Sequence, residues 1–198
     1  MPSKSKIKGS TFERDVAKKL NEFFATDQFS RAFGSGAFVG KSNWNKRKGM
    51  STEVKNALAG DIMVPEWFIF NVECKHYDKS PIYHNLLSSD GDIKMNEWLS
   101  KSIHDGLNTQ TLPLVVFKTT RVFTGIALPY ITNLFENIPN YCVYKGFAIV
   151  DFETGLTIIK SIIDLNQILK QQLIDDFIKT ANTPSTIFND LLTQFKNS

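Results

Sequence analysis

Strand-like and helix-like segments alternate along this 198-residue chain, and the sequence predicts an α/β fold with a helical C-terminal extension. Three observations predict it. Phe12, Val16, Leu20 and Phe23 or Phe24 recur at helical spacing near the N-terminus. Residues 112–117 form a continuous apolar run of strand length, as a buried central strand requires. Between residues 162 and 178, Ile162, Ile163, Leu165, Ile168, Leu169, Leu173, Ile174, Phe177 and Ile178 form a stripe as broad as a helix face.

In chain order, Ser10 or Thr11 is placed to cap a first helix running to about Phe24, with Glu13 in its first turn where an acid suits the helix dipole. Residues 28–33 suit a short strand, and Gly34-Ser35-Gly36-Ala37 a flexible turn. The basic segment from there to Gly60 has few apolar residues and no period, and a loop that long is functional or disordered. Residues 61–75 read as a hairpin of two short strands joined at Pro65-Glu66. A loop over 78–92 leads to a helix that Asp92 caps and that runs to about Leu107, with Ile93, Trp98, Leu99 and Ile103 apolar. Strands are expected over 112–117 and 121–128, a short helix over 130–137, and late strands over 146–152 and 156–160. Asn182-Thr183-Pro184 interrupts the tail before a second helical pattern at Ile187, Phe188, Leu191, Leu192 and Phe195. The tail fits an intramolecular helical pair or a subunit contact. The expected division is a core over 1–160 and a helical extension over 161–198, packed on the core or at a subunit interface.

Composition excludes several classes. The hydrophobic share of 42% is that of an ordinary globular protein, and no apolar run reaches the roughly 18 residues of a membrane span. The basic, polar N-terminal stretch lacks the apolar segment of a secretory signal. Cys74 and Cys142 support neither a disulfide framework nor a zinc cluster, and His76, His84 and His104 show no ligand spacing with them. A reducing, cytoplasmic setting is expected. The net charge is +3, divided as +5 over residues 1–150 and −2 over residues 151–198. Within the first part, Lys41, Lys46, Arg47, Lys48 and Lys55 face only Glu53, with Trp44 among them. Such a run fits a solvated loop or, beside a phosphate-processing site, a phosphate-contacting surface.

The chemistry concentrates at Gly60-Asp61-Ile62 and Phe70-Asn71-Val72-Glu73-Cys74-Lys75. Side chains alternate along a strand, so Glu73 and Lys75 share one face while Val72 and Cys74 share the other. A fold-back at Pro65-Glu66 brings Asp61 across from Val72 and Glu73. Two carboxylates and an ammonium then converge, and carboxylates that close repel unless a cation lies between them. Magnesium, a hard divalent ion, takes oxygen ligands of this kind, and a lysine beside it steadies an attacking water or developing negative charge. A Glu-x-Lys face alone is equally an exposed strand with a surface ion pair. The Gly-Asp opening, the apolar strand and the upstream helix favour the catalytic reading.

These segments resemble the PD-(D/E)xK nuclease superfamily. They look most like the archaeal-type Holliday junction resolvases and their phage-encoded relatives. The likeness is carried by Lys8-Gly9-Ser10-Thr11-Phe12-Glu13-Arg14, Arg31-Ala32-Phe33-Gly34-Ser35-Gly36-Ala37, Gly60-Asp61-Ile62, Phe70-Asn71-Val72-Glu73-Cys74-Lys75 and the helix before residues 112–118, and covers roughly residues 8–120. It implies a restriction-endonuclease-like core, a central mixed β-sheet flanked by helices. It implies Glu13, Asp61 and Glu73 as acidic metal-site residues, the Cys74 carbonyl as a further ligand, Lys75 as the catalytic lysine, and Ser35 near the scissile phosphate. With Lys41, Lys46, Arg47, Lys48 and Lys55 on DNA, the expectation is a Mg2+-dependent endonuclease of four-way or other branched DNA. Mn2+ is expected to substitute. Such an enzyme acts in DNA recombination or repair, as a homodimer. Two departures from a minimal resolvase are the long basic segment and the region after about residue 130. A same-fold nuclease with another substrate (restriction-type, nicking or end-processing) is the alternative, and a non-catalytic DNA-binding protein is a further one.

Replacing Lys46, Arg47 and Lys48 together by Ala is expected to weaken DNA binding and flatten its salt dependence, because fewer counterions are released. A salt titration of affinity measures both. An unchanged affinity and slope would make this segment a solvated loop.

Overall fold

The computed structural model describes residues 4–32, 60–78 and 91–183. Helix α1 spans Lys4–Phe24 and buries Phe12, Val16, Ala17 and Leu20 along one stripe. It begins earlier than the capping pattern predicts. The Ser10 and Thr11 hydroxyls donate to the Ile7 carbonyl at 3.0 and 2.9 Å, folding back onto the preceding turn instead of capping a new one. The helix ends where Ala25 takes a left-handed φ of 52° and the Thr26 N–H returns to the Asn21 carbonyl at 3.0 Å, a Schellman-type stop. Asn21 then clamps the exit through both its amide atoms, bonding the Phe29 carbonyl at 2.8 Å and the Phe29 N–H at 2.9 Å.

That clamp aligns the short strand β1 (Ser30–Arg31), which pairs antiparallel with β2 (Ile62–Met63). The expected hairpin is therefore only partly present. β2 ladders with β1, and its link to β3 (Phe70–Tyr77) is the Asp61 N–H bond to the Val72 carbonyl at 2.7 Å. Helix α2 (Ile93–Thr109) follows, with Asp92 capping it as expected by accepting the Met95 N–H at 2.9 Å. It leads into β4 (Leu112–Thr119), whose apolar run is buried almost throughout. β3 and β4 are parallel, so α2 is the crossover of a βαβ unit. β5 (Phe123–Pro129) turns back antiparallel on β4. A single helical turn, α3 (Thr132–Phe135), precedes β6 (Cys142–Tyr144), a strand with no expectation from sequence. β6 joins β7 (Phe147–Asp151) through Lys145 and Gly146, both at positive φ as a two-residue hairpin favours.

The five-stranded mixed sheet has the order β3-β4-β5-β7-β6. Helix α4 (Phe152–Ile163) occupies the stretch where a strand over 156–160 is expected. A short apolar run does not distinguish strand from helix; here Asp151 decides, accepting the Thr154 N–H at 3.0 Å as an N-cap. α4 packs on β5, with Gly155 against Ile126, and lies beside α1, where Lys19 stands 4.7 Å over the Phe152 ring. Helix α5 (Gln167–Asn182) packs on the other side, its Phe177 against Gly106 of α2. The layers are α1 and α4, then the sheet, then α2 and α5. The α5 stripe is only partly covered: Ile174, Phe177 and Ala181 are buried while Ile168 is exposed. The second tail pattern over 187–195 lies outside the described residues.

Gly155 allows α4 to approach the sheet, since an added Cβ would lie 2.8 Å from the Ile126 Cβ. Gly155→Val is expected to lower stability by about 1–3 kcal/mol through overpacking, read from the denaturant midpoint.

Candidate active site

Strand β3 carries the centre of the site. Its side chains alternate as expected: Phe12 of α1 meets His76 at 5.4 Å between ring centroids, and Trp98 of α2 meets Tyr77 at 5.0 Å. Val72 and Cys74 therefore face α1, and Asn71, Glu73 and Lys75 face α2. The face shared by Glu73 and Lys75 is not an open one: α2 covers it, and Glu73 is 1% exposed.

Asp61 reaches β3 from its open edge. Gly60 has φ +81°, and a Cβ there would sit 2.6 Å from both the Asn71 Oδ1 and the Val72 carbonyl oxygen, so the approach requires glycine. The Asp61 N–H bonds the Val72 carbonyl at 2.7 Å, and its Oδ2 accepts the Cys74 N–H at 2.8 Å. One residue thus satisfies two groups of the edge strand, and its carboxylate is held buried. The Asp61 carbonyl also accepts the Ala32 N–H at 2.9 Å, tying β1 to the site.

The charges are arranged unequally. Lys75 donates to Glu73 Oε1, and Lys101 of α2 donates to Glu73 Oε2. Lys101 also stands 3.4 Å from Asp105 Oδ2, one turn on, and His104 Nδ1 stands 3.5 Å from Asp105 Oδ1. Asp61 makes no ion pair among the described residues. Burial, then the neighbouring Glu73 charge, pushes its pKa up to about 7 against the pull of Lys101 and Lys75. Burial disfavours the Lys101 charge, but Glu73, then Asp105 and Asp61, outweigh it and hold its pKa above the ordinary lysine value. Burial likewise disfavours the Asp105 carboxylate, but His104 and Lys101 outweigh it and its pKa falls. The Cys74 thiol is pushed up by burial first and then by Asp61, Glu73 and Glu13.

The structure brings Asp61, Glu73, Cys74 and Lys75 together. It leaves Glu13, 13% exposed, paired with Arg31 of β1. Ser35, Lys41, Lys46, Arg47, Lys48 and Lys55 lie outside the described residues. Sequence reasoning missed Lys101 and Asp105. Their signal was present: they fall three and seven residues after Trp98, on the buried face of α2, where charged groups need partners. Among the described residues, no group of three or more His, Cys, Asp and Glu side chains stands close enough to hold a metal. The pair Asp61 and Glu73 still fits a hard divalent cation. Two buried carboxylates raise one another's cost of ionisation, and a cation taking oxygen ligands removes that cost.

No curated protein and no solved structure matches the chain. The family described as "Phage putative PDDEXK endonuclease" matches residues 4–179, which takes in α1, the whole sheet, α4 and most of α5. Nucleases of this type generally use divalent metals. With Asp61, Glu73-x-Lys75 and the mixed sheet in that order, the chain belongs to this phage endonuclease family and is a nuclease of the PD-(D/E)xK superfamily.

Proposed function

We propose that the chain is a Mg2+-dependent endonuclease that resolves four-way or otherwise branched DNA as a homodimer. The observation that carries the reading is the meeting of Asp61, Glu73 and Lys75 at the edge of β3, with one buried carboxylate left without an ammonium partner. Asp61 and Glu73 would hold the cation. The Cys74 carbonyl supports them, since the Cys74 N–H already projects to the Asp61 edge and a strand residue's C=O lies on the same side. Glu13 would contribute through water or to a second ion. A divalent cation bound there supplies charge neutralisation at the phosphate and a water of lowered pKa. Lys75 orients that water or balances charge growing on the phosphate oxygens. By the family resemblance, Ser35 would act near the scissile phosphate, and Lys41, Lys46, Arg47, Lys48 and Lys55 would contact flanking phosphates. Mn2+ replaces Mg2+, and Ca2+ binds without turnover because its looser geometry positions water poorly. The enzyme works in the cytoplasm of the bacterial or phage-infected cell; no described helix is long and apolar enough to cross a membrane.

The dimer follows from arithmetic of sites. Resolution cuts two strands of like polarity, and the chain carries one Asp61, Glu73 and Lys75 set. Two-fold symmetry would place two such sites on a roughly two-fold junction. The exposed Ile168 and Leu169 of α5 offer apolar surface, which favours the extension over 161–198 as the subunit contact.

Purified protein with Mg2+, a mobile four-way junction and the matching linear duplex tests the reading, with light scattering for mass. Paired symmetric incision of the junction by a dimer is expected. Equal cutting of linear duplex, or a monomer on DNA, would move the chain to a restriction-type or end-processing activity. Lys75→Ala is expected to abolish cleavage in a folded protein, as judged by circular dichroism. Glu73→Gln is expected to abolish it too, with a loss of stability, because two ammoniums lose their buried counter-charge.

The raised Asp61 pKa sets a pH dependence of folding. Between about pH 4, where an unfolded aspartate ionises, and about pH 7, the folded chain holds a proton that the unfolded chain lacks. Metal-free stability is therefore expected to fall as pH rises through that window, and Mg2+ to restore it above pH 7. Denaturant melts across pH measure this, and Asp61→Asn is expected to flatten the profile.

A further inference from the structure

Glu73 has no free oxygen in the structure, since Lys75 occupies one and Lys101 the other. A cation that takes either of these positions on Glu73 displaces an ammonium. Lys75 is two residues away on the same strand and 25% exposed, with Glu73 its one ion-pair partner among the described residues. Lys101 comes from a different element, is 36% exposed, and has a second carboxylate within 3.4 Å. That carboxylate oxygen, Asp105 Oδ2, is buried and meets Lys101 as an ion pair without a well-formed hydrogen bond. A buried charged acceptor gains when such a contact closes into a hydrogen bond. Here it lies beside an ammonium committed elsewhere, so an acceptor is already in place for Lys101 when it leaves Glu73.

Resting on the metal-dependent nuclease reading, we infer that Lys101 is a two-position residue of the active site. It holds Glu73 while the cation is absent, and it moves onto Asp105 when the cation takes Glu73. Displaced but not released, it keeps a second positive charge beside Lys75 for the anionic phosphate. Asp105 is the positioning residue that receives it. His104, on the other Asp105 oxygen, leaves Oδ2 for the lysine. With Asp61 ionised, the carboxylates of Asp61, Glu73 and Asp105 stand against the two ammoniums of Lys75 and Lys101, a net of −1 that a bound divalent cation would turn to +1, which suits an incoming phosphodiester.

The full chain is titrated with Mn2+ by calorimetry, and junction and duplex cleavage are measured at saturating Mn2+. Lys101→Met is expected to bind Mn2+ about tenfold more tightly, because it removes the competitor for Glu73. It is expected to cut about a hundredfold more slowly, because it removes a charge at the phosphate. Asp105→Asn is expected to bind Mn2+ more weakly, because Lys101 loses its alternative seat. A simple field effect gives the same two signs, so the double variant decides. If Asp105 acts through Lys101, the double variant binds Mn2+ as Lys101→Met does. Additive effects would overturn the inference. Lys101→Gln, which keeps a polar head, serves in place of Met if that variant melts below the assay temperature, and Lys101→Arg is expected to recover part of the cleavage rate. A parent chain that cuts DNA, with Lys101 variants that bind and cut as it does, overturns the inference and spares the nuclease reading. A parent chain that neither binds Mn2+ nor cuts DNA removes both.

Discussion

The repulsion between Asp61 and Glu73 is the constraint around which the rest of the site is organised. Bringing two carboxylates into one buried place is unfavourable, and each nearby group answers that cost. Asp61 is fixed by backbone, through its own N–H to Val72 and its carboxylate to the Cys74 N–H. Glu73 is fixed by charge, between Lys75 and Lys101. The two modes differ in what they allow. A backbone N–H cannot leave, so Asp61 would be a stationary ligand in the proposed metal site. An ammonium on a flexible stem can, so Glu73 would be the ligand that an incoming metal uncovers.

The fold supplies these positions economically. Parallel pairing of β3 and β4 demands a crossover, and the crossover α2 has to lie over the face that bears Glu73 and Lys75. A charged helix face there would be costly unless it matched the strand beneath, and Lys101 and Asp105 make that match. The opposite face of β3 meets α1, which buries Phe12 against it and carries Glu13 one residue on. β3 is also the edge of the five-stranded sheet. Its unpaired backbone groups would invite another strand, and Asp61 satisfies two of them. One residue thus protects the edge and would provide a ligand in the proposed metal site.

Much of this was legible in the sequence, for reasons that can be named. The α1 stripe, the Asp92 cap and the apolar β4 run are local signals, and each appears as expected. The meeting of Asp61 with Val72 and Glu73 was readable because Gly60 and the Pro65-Glu66 break mark a fold-back. The run at 156–160 was not, because Leu156 to Ile159 is equally apolar as a strand or as one side of a helix, and the Asp151 cap that decides it lies upstream. Lys101 and Asp105 were legible only in part. Their spacing from Trp98 puts them on the buried face of α2, but what they meet there depends on α2 lying over β3, a tertiary fact. Ile168 shows the converse limit: it belongs to an apolar stripe, yet α5 leaves it exposed.

A network built for stability alone would be arranged differently. Two ammoniums beside two buried carboxylates would each neutralise one, which lowers the cost of both. In this chain both go to Glu73, and Asp61 is left with the Cys74 N–H and a pKa near neutrality. The uneven sharing keeps one carboxylate underneutralised at the strand edge and the other reversibly covered. Perturbed carboxylates of this kind mark functional sites more often than structural ones, with salt-bridge networks the recognised exception. The exception is weakened here because Lys75 and Lys101 pull on Asp61 without pairing with it, and its pKa stays raised. A cation taking oxygen ligands would relieve Asp61, and the metal-dependent phosphodiester hydrolysis proposed for this chain needs such a cation.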